Sequence, residues 1–302
     1  MRLPDYRPML ATPWPAPFDD SEWWFEVKWD GYRVVIGADD GEVRVRSRRG
    51  LDLMGRFPSL AELALPNGTV VDGEAVALDD SGRPSFSTLQ AGRPVHFVVF
   101  DLLYLDGDFT QVPYETRLEA LGGLTIGGPV IRPQPVHSSG VAMFDAVVAQ
   151  GLEGVVAKRS GSLYRPGTRS ADWRKIALVR RIRAVVGGYT TGQGGRSSTF
   201  GSLVLGLYTD GHLRWVGAVG SGFTDEQLAA IHGALRLIPR ESNPFDGPVS
   251  LPGPGRVSWV EPSIVVSVEF KEWTAEDHLR APVFKGVEMA DPEDVTWESE
   301  RA

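Results

Sequence analysis

The sequence contains no cysteine. That excludes disulfides, thiolate chemistry and cysteine-ligated zinc, and it suits a reducing compartment. It contains no apolar run near the roughly 20 residues that a membrane helix needs, and its first residues, MRLPDYRPML, lack the apolar core of a signal peptide. We therefore expect a cytoplasmic protein. Positive charge is also short: the formal net charge is -8. A protein that coats nucleic acid non-specifically is thereby disfavoured, because such binding rests on cationic contacts to phosphate. The deficit is uneven, with 21 basic against 23 acidic residues over 1–182 and 10 against 16 over 183–302. Two basic clusters, at 44–49 and 174–183, read either as solvated faces or as parts of a binding surface.

Lysine is the scarcest charged residue. Of 31 basic residues 26 are arginine, and the five lysines are Lys28, Lys158, Lys175, Lys271 and Lys285. Where surface charge is written in arginine, each lysine asks what a guanidinium could not do. Lysine can lose its proton and become a nucleophile, and it offers phosphate a compact point charge. Chance retention would explain any single one of them.

With 302 residues, 42% of them hydrophobic, the chain has room for two domains with substantial cores. Over 1–182 short β-rich runs at 23–29, 42–48, 69–78, 95–105 and 154–159 alternate with helical patterns at 116–124 and 141–151. Short Gly and Asp turns between strands favour antiparallel pairing, so we expect a mixed α/β domain that is not doubly wound. From residue 183 the pattern turns to alternating strands at 185–191, 201–220 and 256–270, broken by Gly-rich turns and one helix at 224–238. Thr224 and Gln227 stand at capping-box spacing at its start. This predicts an α+β chain with a domain at 1–182 and an OB-type barrel at 183–302.

Lys28 opens the hexapeptide KWDGYR, of the form K-x-D-G-x-R, among aromatic residues. A lysine nucleophile must be neutral when it attacks, and apolar surroundings favour the neutral form. Gly31 would let the backbone turn tightly or approach a ligand, and Arg33 can return to the same place as a hydrogen-bond fork. Taken alone, a strand-end lysine snorkelling to solvent is an equal reading. More pieces follow in order: SRRG at 47–50, VDGE at 71–74, Phe100 beside Asp101, EGVVAK at 153–158 and WRK at 173–175. VDGE alone could be a hairpin turn, Phe100 core and EGVVAK a strand with polar ends. Those readings leave the joint order unexplained.

In this order the motifs resemble the covalent nucleotidyltransferase superfamily, specifically the bacterial ATP-dependent DNA ligases of the ligase C type and of the ligase module of ligase D. The segments at 186–224 and 270–287 are similar to the OB domain of those proteins. The resemblance covers nearly the whole chain. It implies an adenylation (nucleotidyltransferase) domain with largely antiparallel sheets, an OB-fold β-barrel, and a catalytic cleft between them. It also implies attack of Lys28 on the α-phosphate of ATP, transfer of AMP to the 5′-phosphate of a nicked duplex, and sealing by the 3′-OH. Carried over residue by residue, Glu26 would border the adenine and Phe100 would stack on it. Arg33 and Arg48 would hold ribose and phosphate, Glu74 would reach ribose or metal, and Glu153 would help hold Mg2+ or Mn2+. Lys158 and Lys175 would ground the α-phosphate, and Arg280 and Lys285 would approach the pyrophosphate. Four of the five lysines thus fall at motif positions, with Lys271 left to the surface.

The family pattern W-x-K-x-K is broken here, where Trp173-Arg174-Lys175-Ile176-Ala177 places alanine at the second lysine. Losing one such cation costs about 2–4 kcal/mol, so we expect a compensating residue, Arg174 being the candidate, or a slower phosphate-dependent step. The resemblance further implies a monomer at the bacterial nucleoid, a role in DNA repair, and a primase-polymerase and the Ku end-binding protein as partners. An RNA ligase, a capping-type nucleotidyltransferase and a non-catalytic nick or end sensor are the competing readings; the first two share the chemistry, and the third predicts DNA binding without a covalent adenylate.

Overall fold

The computed structural model describes residues 3–251, 256–274 and 276–301. Position 275 of the segment 270–287 lies outside them. The chain divides into two units, Met1–Leu178 and Val179–Ala302. That division comes four residues ahead of the expected one at 182/183, because Arg180–Thr191 is one continuous strand paired with Val257–Phe270 from its first residue.

The N-terminal unit contains β1 (Leu10–Pro13), β2 (Asp20–Val27), β3 (Tyr32–Asp39), β4 (Glu42–Ser47), β5 (Thr69–Val76), β6 (His96–Leu105), β7 (Val130–Ile131), β8 (Val136–Ser138), β9 (Gly154–Arg159) and β10 (Arg169–Ala177). Its helices are α1 (Phe86–Gln90), α2 (Tyr114–Gly123) and α3 (Gly140–Ala149). Two five-stranded sheets result, ordered β1-β10-β9-β2-β8 and β4-β3-β5-β6-β7. All pairs are antiparallel except β1 with β10 and β6 with β7.

Strand alternation decides what each face carries, since successive side chains point to opposite sides. In β3, Val34 and Ile36 enter one core with Val45, Val71 and Phe97, while Val35 enters another with Met9, Val70, Leu103, Tyr164 and Trp173. Arg33 shares the second face with Val35. In the other sheet Phe25, Val155, Ala157 and Ile176 form a third core. Glu26, Val156, Lys158, Trp173 and Lys175 are thereby turned to the opposite face. Burying these polar groups is tolerable only because they are paired. The most enclosed pair is Arg117 of α2 with Asp101 of β6, both 0% exposed in their side chains. Arg117 donates to the two carboxylate oxygens at 2.7 and 3.2 Å, and to the carbonyls of Val112 at 2.7 Å and Ser162 at 3.0 Å.

The C-terminal unit is built from β11 (Arg180–Thr191), β12 (Phe200–Thr209), β13 (His212–Val219), β14 (Pro239–Arg240), β15 (Val257–Phe270) and β16 (Val283–Glu288), with α4 (Asp225–Leu235) and α5 (Trp297–Glu300). The sheet order is β13-β12-β11-β15-β14, with β16 also on β15. It is a half-barrel of the OB type around one core that includes Val185, Leu205, Val216, Leu228 and Val266. Thr224 and Gln227 cap α4 reciprocally, as their spacing predicts. Of the Gly- and Pro-rich stretch 247–255, residues 252–255 lie outside the described residues.

Arg117→Met would leave Asp101 buried without its main partner. We expect a loss of about 3–5 kcal/mol of unfolding free energy, read by urea denaturation, and recovery of most of it in the Arg117→Met/Asp101→Leu pair.

Candidate active site

Lys28 follows β2 directly, and its backbone N–H donates to the carbonyl of Gly154 at 2.8 Å. The strand expected over 23–29 therefore stops at Val27, and the lysine begins the turn. Two glycines make the turn possible. A Cβ on Gly31 would lie 2.3 Å from the Ala75 carbonyl oxygen, so the close approach that Gly31 permits is to the protein's own backbone. Gly154 adopts φ +137°, and a Cβ there would lie 2.2 Å from the Ile176 carbonyl oxygen. With both chains this close, the Lys28 ammonium meets the carboxylate of Glu153.

The two sheets of this unit enclose a cavity of about 240 Å3. Glu26, Lys28, Arg33, Arg48, Glu74, Phe100, Lys158 and Lys175 all line it. Glu153 reaches it through its contact with Lys28. Arg280 and Lys285 belong to the C-terminal unit, where Arg280 pairs with Glu272, and Lys285 with Glu269 at 2.8 Å. Eight residues spread from position 26 to 175 thus converge because β2, β9 and β10 present one face and β3, β5 and β6 present the other, with Arg48 added from just beyond the end of β4.

Three charge groupings set the electrostatics. Lys158 is 1% exposed and lies 2.7 Å from Glu26 and 4.0 Å from Asp101, and it donates to the Phe100 carbonyl at 3.0 Å. Its ammonium also sits 4.5 Å from the Trp173 ring and 4.7 Å from the Phe100 ring. Glu26 accepts in addition from the Tyr114 hydroxyl. Burial pushes the Glu26 carboxyl up, and Lys158 and Tyr114 pull it back. In the second grouping Arg33 donates to both oxygens of Asp72 at 2.7 Å. Burial works against the Arg33 charge, but Asp72 holds its pKa above the usual guanidinium value. The third is Glu74, cross-strand from Arg33, whose pKa is pushed up to about 7 by burial against the opposing charges of Arg33 and Lys28.

Arg174 does not compensate for Ala177. It stands between Trp173 and Lys175 in β10 and so faces away from the cavity, with its guanidinium carbon 3.7 Å from the Trp14 ring and 4.1 Å from the Trp23 ring. Burial lowers its pKa from the ordinary guanidinium value. The further cation in the cavity lining is Arg169, held by the Ala11 carbonyl. Ala177 itself is cross-strand from Gly154.

Sequence reasoning missed Arg169, the lining formed by residues 9–11, and the buried partners Asp72, Tyr114 and Tyr164. Asp72 had a signal, since it lies two positions from Glu74 on a strand and shares its face. Tyr164 had none, because Asp72 is 92 residues away along the chain.

Among the described residues no group of three or more His, Cys, Asp or Glu side chains could hold a metal ion. Two carboxylates, Glu74 and Glu153, flank Lys28, and this donor set fits an Mg2+-like ion that completes its shell with waters and substrate oxygens.

Residues 8–177 match the family described as ATP dependent DNA ligase domain, and residues 196–289 match the ATP dependent DNA ligase C terminal region. The chain is similar to the multifunctional non-homologous end joining protein LigD of Mycolicibacterium smegmatis, with 39% identity over 98% of this chain and 40% of that protein. It is similar to the Pseudomonas aeruginosa LigD protein at 36% identity over 90% of this chain and 34% of that one. It therefore spans about two-fifths or less of the length of these relatives. Among solved structures, mycobacterial DNA ligase D complexed with ATP and MES shares a TM-score of 0.55 and 35% identity, covering 96% of this chain and 98% of that one. A Lig E DNA ligase, at 19% identity and TM-score 0.61 over 93% of this chain and 99% of that one, shares the fold.

Replacing Arg174 by Met should lower the unfolding free energy by roughly 0.5–2 kcal/mol, the range of a cation–π contact, and leave nucleoside triphosphate binding unchanged. Lys175→Met should do the reverse, weakening binding with little effect on stability. Thermal denaturation and isothermal titration with ATP check both.

Proposed function

The chain belongs to the family of ATP-dependent DNA ligases, and on that premise we propose that it seals nicks in duplex DNA through a Lys28–AMP intermediate. The observation that carries the proposal is the contact of the Lys28 ammonium with Glu153, at a cavity that also presents Arg33, Arg48, Glu74 and Lys175.

In the first step the Glu153 carboxylate is the group within reach of the Lys28 proton. The freed Nζ bonds to the α-phosphorus of ATP, the bond from that phosphorus to the bridging oxygen breaks, and pyrophosphate leaves. Lys175, with Lys158 behind it, offsets the charge on the α-phosphate, as phosphoryl transfer requires. Arg33 and Arg48 hold ribose and phosphate, Phe100 stacks on the adenine, and Glu26 borders it from the base of the cavity. Glu74 and Glu153 would hold Mg2+ or Mn2+, which supplies further charge neutralisation when bound. Arg280 and Lys285 act on the pyrophosphate side. An oxygen of the 5′-phosphate at the nick then bonds to the phosphorus of AMP as the Lys28 N–P bond breaks and the lysine is released. The 3′-OH attacks the 5′-phosphorus, losing its proton, and the bond to AMP breaks, closing the phosphodiester and releasing AMP. We expect activity to persist despite Ala177, because Lys28, Glu153 and Lys158 remain.

The non-homologous end joining named for the relatives supports a role in end-joining DNA repair. From the family resemblance we further propose that the protein acts at the bacterial nucleoid as a monomer, beside a primase-polymerase and the Ku end-binding protein. No described helix is long and apolar enough to cross a membrane.

Incubation with α-labelled ATP and Mg2+ or Mn2+, followed by a denaturing gel, tests the proposal. We expect a protein-bound label with ATP and none with GTP, its absence in Lys28→Ala, and its transfer to nicked DNA. No covalent label under either metal would overturn the reading.

A further inference from the structure

Tyr164 lies in the loop between β9 and β10 and is 0% exposed. Its hydroxyl donates to Asp72 Oδ2 and accepts the Met9 backbone N–H at 2.9 Å. Asp72 is equally enclosed, and its two oxygens carry the fork of Arg33. Arg33 also reaches toward the Met9 carbonyl at 3.5 Å and lies 4.5 Å from the Phe100 ring. One hydroxyl therefore joins the residues preceding β1, the inner strand β5 and the loop that precedes Lys175, all around the same cavity.

We propose that Tyr164 is a positioning residue for the nucleotide: through Asp72 it fixes the guanidinium of Arg33 at the ribose. This rests on the ligase reading above. Asp72 Oδ2 is shared between Arg33 and the tyrosine, so the hydroxyl is the contact that prevents the carboxylate from turning about its own bond and carrying the arginine with it. Burial and the neighbouring carboxylate hold the phenol pKa well above its usual value, so the hydroxyl keeps its proton and remains a donor. The ring has a separate duty, an edge contact with Trp173 at 5.6 Å, which phenylalanine preserves. Tyr164→Phe thus removes the hydroxyl alone.

The test is the KM and kcat of lysyl adenylate formation with ATP and with 2′-deoxy-ATP, in wild type and Tyr164→Phe, at a temperature where circular dichroism shows both folded. A lost hydrogen bond to a charged group corresponds to roughly a tenfold effect. We expect that rise in KM for ATP with kcat little changed, and a reduced preference for ATP over 2′-deoxy-ATP. A purely structural hydroxyl would lower the melting temperature and leave both the KM and the nucleotide preference where they were; that result overturns the proposal. If Tyr164→Phe fails to fold, Asp72→Asn reads the same link and must show the same two changes. Wild-type protein that forms no adenylate overturns the ligase reading and this inference together, whereas active wild type with an indifferent variant overturns this inference alone.

Discussion

A buried lysine must be paired, and the N-terminal unit is arranged around one. Lys158 stands between two sheets with its ammonium 2.7 Å from Glu26 of its own sheet and 3.0 Å from the Phe100 carbonyl of the other. Transferring such a charge from water costs several kcal/mol unless partners replace the lost solvation. Glu26, Phe100 and, more distantly, Asp101 replace it, and each is then tied to a further group: Glu26 to Tyr114, and Asp101 to Arg117. Two sheets that share these polar contacts cannot slide past each other without stranding a charge. Their spacing, and with it the cavity, follows from that requirement.

Around this fixed spacing the cavity-lining groups divide by chemistry. The sheet of β2, β9 and β10 contributes the lysines, and the sheet of β3, β5 and β6 contributes Arg33 and Glu74. In the proposed mechanism lysine stands where a transferable proton or a compact charge is needed, and Arg33 holds its planar fork in one orientation against Asp72. The scarcity of lysine in a chain rich in arginine has this physical reading: Lys28, Lys158 and Lys175 all line one cavity.

Arg174 shows how local pattern can mislead. In the sequence it adjoins Lys175 and looks like a substitute for the cation missing at Ala177. In the strand, neighbouring residues face opposite ways, and Arg174 fills an aromatic box made by Trp14, Phe18 and Trp23. The alternation that could have shown this was legible, but the aromatic partners at positions 14, 18 and 23 were not.

By itself the sequence determined many of the elements and the motif residues, but not β3 or β10, which carry Arg33 and Lys175. Alternation and turn chemistry are local, so β2, β4, β5, β6 and β9, the capping box at Thr224 and the change to an OB-type pattern near residue 183 could be read directly; Lys28, Glu74, Phe100 and Glu153 stood out because short motifs recur in a set order. Tertiary structure decided the pairings: Lys28 with Glu153 across 125 residues, Tyr164 with Asp72 across 92, and Lys158 with Glu26 across the sheet. It also placed the unit boundary, through the unbroken pairing of β11 with β15. Such contacts depend on which strands become neighbours and on the desolvation of charges between them, and neither quantity is written in any local stretch of chain.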